Sequence, residues 1–101
     1  MAEITEEFIS SARGWLRINT TSRDDEIRQT VQACLIDLSN GGVAVIDLED
    51  AAIMQAVKLY LKSQFGYDRD AEKFGRAYEH LKAALALSGD YNKEKTDGES
   101  G

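Results

Sequence analysis

The sequence from Leu48 to Phe65 reads LEDAAIMQAVKLYLKSQF, and this stretch decides how the rest of the chain folds. Its apolar side chains are too numerous for a single stripe, and its polar side chains occupy one narrow edge. A helix at a protein surface has one apolar face, whereas a helix that is apolar around most of its circumference has neighbours on several sides. The pattern therefore predicts a central buried helix, with the side chains from Ala51 to Leu61 sheltered from water.

The spacing of apolar residues predicts three more helices, over about residues 3–16, 22–40 and 70–88. Ser22, with Asp25 three residues later, approximates a capping box at the start of the second helix. The apolar positions that define the three helices are Ile4, Phe8, Ala12, Trp15 and Leu16, then Ile27, Val31, Leu35 and Leu38, then Phe74, Tyr78, Leu81 and Leu85.

The run from Val43 to Ile46 is short and mostly β-branched, and no second strand is available to pair with it. We therefore expect an extended connector here, followed by Asp47 and Asp50 as the cap of the central helix. The fourth helix then lies beside the central one as a helical hairpin over residues 48–88. The fold class predicted from the sequence is all-α, a small four-helix bundle around a central buried helix.

A chain of 101 residues has the size of one domain with a modest core. We expect a single helical domain over residues 1–88 and a flexible C-terminal tail over residues 89–101, because the tail is rich in glycine and charge. The 18 acidic and 12 basic residues give a formal net charge of −6, which argues against a protein that grips nucleic acid through its phosphates. The N-terminal sequence is acidic and no apolar run reaches the ~20 residues of a membrane span, so neither a secretory signal nor a membrane segment is expected.

Candidates for catalysis or metal binding are few. His80 is the single histidine and lies off the apolar stripe of the fourth helix. Cys34 is the single cysteine, so it forms no disulfide within the chain, and its position beside the buried face of the second helix favours a small core residue. Gly41 and Gly42 lack the following lysine and hydroxyl residue of a phosphate loop. The sequence therefore predicts no enzyme, no cofactor and no metal site.

Two segments place large apolar side chains where polar connectors are expected, Trp15 to Ile18 and Phe65 to Tyr67. They either close the ends of the bundle or extend a contact surface for other subunits, since aromatic residues and arginine are enriched in such surfaces. The candidate partner-binding residues are Trp15, Arg17, Ile18, Phe65, Tyr67, Arg69 and Tyr91.

The order of elements resembles the small head–tail connector proteins of tailed bacteriophages and prophages, also described as DNA-packaging proteins. The resemblance covers Ile9 to Tyr91, and its most specific part is QAVKLYLKSQFGYD, residues 55–68. A Leu-Arg-Ile step ending at Ile18 and an acidic helix start at Arg23 to Ile27 belong to the same pattern.

This resemblance implies a structural protein without catalysis or cofactor, found in the virion and, during assembly, in the host bacterial cytoplasm. Its copies would form a ring below the portal protein, lengthen the DNA channel and receive the next tail-completion protein. DNA would pass through without specific binding, and no membrane would be involved. An acidic wall suits this role, because it repels the phosphates of duplex DNA.

Two other classes remain open from the sequence. One is a small helical nucleic-acid-binding regulator or packaging accessory, which the acidic composition and the lack of a basic recognition helix disfavour. The other is a helical protein–protein adaptor outside phage biology, which composition does not separate from a connector.

Overall fold

The computed structural model of the chain describes residues 3–65 and 70–93, and within these ranges the regular structure is entirely helical. The four helices are α1 (Glu6–Leu16), α2 (Asp24–Asn40), α3 (Ala51–Phe65) and α4 (Asp70–Leu87). The all-α fold predicted from the sequence is thus confirmed. The segment from Val43 to Asp47 is the expected connector, since it is neither helix nor strand.

The central position of α3 is confirmed by its packing against each of the other three helices. Ile53, Val57 and Leu61, one turn apart along one side of α3, are fully buried. The prediction was too broad in one respect, because Ala51 is exposed, whereas the exposure of Gln55 agrees with the predicted polar edge. The first turns of α3 have helices on only part of their circumference, so their remaining side faces water.

Helices α3 and α4 form the predicted hairpin. Tyr60 and Tyr78 meet edge-on with ring centroids 5.0 Å apart, and the Lys62 ammonium lies 5.3 Å from the centre of the Phe74 ring. The later residue of α3, Lys62, thus meets the earlier residue of α4, Phe74, so the two helices are antiparallel. Of α4, only Tyr78 and Leu85 are buried, so this helix covers one side of α3 and exposes most of its own surface.

The start of α3 differs from the prediction in the identity of its cap. The carboxylate of Asp50 accepts hydrogen bonds from the backbone N–H groups of Ala52 and Ile53, at 2.9 and 3.1 Å. Asp47 instead accepts the N–H of Glu49 at 2.9 Å and fixes the preceding turn. The helix therefore begins at Ala51 rather than Leu48, because the cap is the second of the two aspartates.

The predicted cap of α2 was wrong. The residue before α2 is Arg23, which makes no side-chain capping hydrogen bond. The Ser22 hydroxyl lies one residue too early and pairs with the Thr20 hydroxyl at 2.9 Å. Helix α1 also starts later than expected, at Glu6, because the side chain of Thr5 caps it through the N–H of Phe8 at 3.0 Å.

Two arginines tie α1 to α2. Arg13 forms an ion pair with Asp24 at 2.9 Å, at the start of α2. Arg28 pairs with Glu6 at 2.6 Å and donates to the main-chain oxygen of Ile4 at 2.7 Å. These contacts hold the N-terminal segment against the body of the bundle.

Candidate interaction surfaces

The predicted contact residues at the end of α1 occupy a corner that is partly core and partly surface. Trp15 is half-buried, with its ring edge-on to Phe8 at 5.5 Å between centroids and the Lys58 ammonium 5.9 Å from its ring centre. Ile18 packs partly against the core, whereas Arg17 is exposed. Arg17 has a φ of 59° and ends α1 in the left-handed conformation, so its side chain projects from a sharp turn. Trp15 and Ile18 therefore help to close this end of the bundle, whereas the side chain of Arg17 is in water.

The second predicted segment is closed where it can be described. Phe65 is 9% exposed, and the guanidinium of Arg23 lies 4.7 Å from its ring centre. Phe65 thus closes the end of the core, and the guanidinium of Arg23 covers its ring. Tyr67 and Arg69, the other two predicted contact residues of this segment, lie outside the described residues.

Tyr91, the last predicted contact residue, connects the region after α4 to the start of α3. Its hydroxyl lies 3.0 and 3.1 Å from the two carboxylate oxygens of Asp50, and this hydrogen bond raises the pKa of Tyr91. Its main-chain oxygen accepts the N–H groups of Ala44 and Val45, at 2.7 and 3.0 Å. Of the tail predicted from the sequence, residues 89–93 are described, and residues 94–101 lie outside the described part of the chain.

A polar cluster between α2 and α4 was missed by the sequence analysis. The Tyr78 hydroxyl donates to Oδ2 of Asp37 at 2.6 Å, and the Lys82 ammonium donates to the same oxygen at 2.8 Å. Lys82 also pairs with Glu79 at 3.0 Å. The signal in the sequence was Lys82, one turn after Tyr78 on the apolar stripe of α4. It was not sufficient, because the partner of both residues, Asp37, lies in α2. The cluster braces α4 against α2.

The charges of this cluster follow from its hydrogen bonds. The hydrogen bond from Lys82, helped by that from Tyr78, holds the pKa of Asp37 below its ordinary value. The same contact with Asp37 raises the pKa of Lys82, whereas burial raises the pKa of Tyr78. The three groups therefore stay carboxylate, ammonium and neutral phenol near neutral pH.

The two side chains considered for chemistry, Cys34 and His80, lie on different helices and differ in burial. Cys34 is fully buried, and burial raises its pKa to about 12, so its thiol remains protonated at neutral pH. His80 is exposed on α4. Within residues 3–65 and 70–93, no group of three or more His, Cys, Asp or Glu side chains is arranged to hold a metal ion. The same residues include no helix that has both the length and the apolar character of a membrane span.

Two surface features remain. Ile36 on α2 is 50% exposed and Leu87 at the end of α4 is 85% exposed, and they are the exposed large apolar side chains of the described residues. A groove of about 630 Å³ lies between the start of α1 and the segment that leads into α3. Its floor includes the side chains of Phe8, Ile46 and Met54.

The described part of the chain is a small all-α module. Its polar clusters join one helix to another, and the exposed Leu87 and the groove beside α1 lie on its surface. Compared with known protein families, residues 9–92 match the family described as Phage connector protein. The chain therefore belongs to the phage connector family and is a structural protein of a phage particle, as the resemblance indicated. In the corresponding comparisons with curated proteins and with solved structures, nothing matches the chain.

Proposed function

We propose that this protein is a head–tail connector whose copies form a ring below the portal protein, extend the DNA channel and receive the next tail-completion protein. The match of the connector family to residues 9–92 carries the proposal, because it includes nearly all of the four helices. The ring acts as a scaffold and performs no catalysis. Its place is the virion and, before that, the cytoplasm of the infected host.

A closed ring needs two different surfaces on each subunit, because each copy meets one neighbour with its front and another with its back. Leu87 is an anchor for one of them, since its side chain is almost entirely in water in the single chain. The corner at Trp15, Arg17 and Ile18 offers a second surface on another helix. Phe65, Tyr67, Arg69 and Tyr91 are the further residues proposed to contact partners. Of these, Phe65 is covered by Arg23, and Tyr91 is bonded to Asp50.

The acidic character of the chain supports the channel role. The formal net charge of −6 creates a repulsive field toward DNA phosphates, so duplex DNA slides past without being held. A gel-shift assay at low salt should therefore show no affinity for duplex DNA. Tight, salt-sensitive binding would instead support the alternative, a small nucleic-acid-binding regulator or packaging accessory.

The ring is tested by mixing the protein with the portal protein of the same phage and measuring the mass of the complex. We expect a complex with several connector copies per portal ring, and we expect Leu87→Asp to reduce their number. Ser10→Asp places the same charge at an exposed position of α1 and is the matched control. A failure of the unaltered protein to join its own portal contradicts the proposed function.

The C-terminal tail is proposed to add to these contacts as an arm beyond the helical domain of residues 1–88. Deletion of residues 94–101 should leave the thermal midpoint unchanged while weakening the complex with the portal. Assembly that is unaltered by the deletion removes this segment from the mechanism.

A further inference from the structure

The groove between the start of α1 and the segment before α3 is apolar at its base and acidic at its edge. Phe8, Ile46 and Met54 are half-buried, so each still offers apolar surface to a partner. The side chains of Glu3 and Glu7 line one part of the groove, and those of Asp47 and Glu49 line another. No lysine or arginine is among its lining residues in the described part of the chain.

Three of the four acidic side chains at this edge have no partner among the described residues, the exception being Asp47. Glu6, between Glu3 and Glu7 in sequence, pairs with Arg28 at 2.6 Å. Within residues 3–65 and 70–93, by contrast, the carboxylates of Glu3, Glu7 and Glu49 form no ion pair and accept no hydrogen bond. They are also not arranged as a metal site. The negative charge at the groove is therefore available to pair with cationic side chains of a partner.

We propose that this groove binds an extended or helical peptide segment of another protein, in which an apolar side chain is flanked by lysine or arginine. The apolar side chain would cover Phe8 and Met54, and the flanking cations would lie against the carboxylates of Glu7 and Glu49. Burial of apolar surface supplies affinity, and the charges at the edge supply orientation and partner choice. The inference rests on the proposed function in one respect, namely that the segment belongs to a neighbouring protein of the particle.

Charge decides between such a partner and a second copy of this chain. The chain carries 18 acidic and 12 basic residues, so another copy would bring mostly like charge to an edge that is already acidic. Like charges brought together at an interface disfavour the wrong partner. A protein with a basic docking segment is therefore the occupant that the groove favours.

The groove also has a built-in reporter. Met54 lines both the groove and an adjoining depression of about 150 Å³ that is lined by Trp15, Gln55 and Lys58. Trp15 is the single tryptophan of the chain. A segment bound over Met54 changes the polarity around this depression, so the emission of Trp15 should shift on binding.

The experiment uses the full chain and a synthetic peptide of alternating leucine and lysine, with a second peptide that has glutamate at every lysine. Trp15 emission and titration calorimetry should report binding of the lysine peptide only, and this binding should weaken as salt increases. In the double variant Glu7→Gln, Glu49→Gln, we expect the affinity for the lysine peptide to fall about fivefold, as the loss of two exposed charge pairs implies.

A double variant elsewhere on the surface, Asp25→Asn with Glu72→Gln, changes the net charge equally and is the control. Asp25 and Glu72 are exposed in the first turns of α2 and α4, outside the groove. Thermal unfolding of both double variants verifies that each remains folded. The control should bind the lysine peptide as the unaltered chain does.

Four results would overturn the inference: no binding of the lysine peptide, equal binding of the two peptides, an equal loss in both double variants, or self-association that disappears only with Glu7→Gln, Glu49→Gln. The last result would assign the groove to a second copy. The portal mixing experiment separates this inference from the proposed function. If the lysine peptide fails to bind while the portal complex forms, the groove proposal falls and the connector role stands.

Discussion

Replacement of Tyr78 by phenylalanine tests whether the cluster between α2 and α4 stabilises the fold. Tyr78 is 2% exposed, and its hydroxyl donates a 2.6 Å hydrogen bond to the carboxylate of Asp37. A hydrogen bond to a charged group contributes about 1.5–3 kcal/mol. Because the Asp37 side chain is 41% exposed and also bonded to Lys82, water and the ammonium replace part of the loss. We therefore expect Tyr78→Phe to lower the free energy of unfolding by about 1–2 kcal/mol, or the thermal midpoint by about 4–16 °C.

The neighbouring tyrosine provides a matched control. The Tyr60 ring contacts that of Tyr78 edge-on, and its hydroxyl forms no hydrogen bond with a described residue. Tyr60→Phe removes the same atom without breaking a bond, so we expect a change within about 0.5 kcal/mol. Both variants are measured by urea denaturation followed by circular dichroism. Equal midpoints for the two variants would refute the argument.

A double-mutant cycle isolates the pair. Asp37→Asn combined with Tyr78→Phe should cost less than the sum of the two single changes, because both single changes disturb the same contact. Strict additivity would show that the hydroxyl and the carboxylate contribute independently, and the cluster would then be two separate features.

Four further predictions follow from the described contacts. Leu61→Ala, at a fully buried position of α3, should cost about 2–5 kcal/mol in urea denaturation, and an unmoved midpoint would show that the core is misassigned. Arg17→Gly should stabilise the protein by about 1 kcal/mol in the same assay, because glycine accepts the φ of 59° without the strain of a side chain, and a loss of stability would contradict this account of the turn. The pKa of Asp37 is lowered in the folded state, so this carboxylate contributes stability that is present above its unfolded pKa and is lost as the pH falls through the folded pKa. Asp37→Asn should therefore flatten the decline of the urea midpoint in acid. Tyr91→Phe should lower the thermal midpoint and increase amide hydrogen exchange at Ala44 and Val45, and unchanged exchange would show that the hydroxyl does not hold this segment.

The helices could be predicted from the sequence because the spacing of apolar residues within each segment indicates which side of the helix is buried. Ile53, Val57 and Leu61 identify the buried side of α3, and the glycines after α2 end that helix. Helix starts were predicted less accurately, because several polar residues near each start compete for the capping role. The choice of Asp50 over Asp47, and of Thr5 before α1, depended on which side chain reached free N–H groups in the folded backbone.

Of the two candidate surfaces, one could be proposed from the sequence and the other could not. The corner at Trp15 and Arg17 could be proposed as a contact surface from the sequence, because large apolar side chains next to a turn stand out there. The groove was not found, since its floor combines Phe8 with Ile46 and Met54, which are distant in sequence and separately look like ordinary core positions. Its edge was equally hidden, because acidic residues near helix starts are adequately explained by the helix dipole.

The sequence by itself determined that the protein is all-α, that its third helix is central and that the chain resembles the phage connector family. Periodicity is a local property, so each segment carries it independently of the others. Only the tertiary structure decided that Tyr78 meets Asp37 and that Arg23 covers Phe65. It also decided that Glu3, Glu7 and Glu49 beside the groove have no partner among the described residues. Such contacts depend on the angle and depth at which helices pack, and these are set by the shape of the whole core rather than by any one segment.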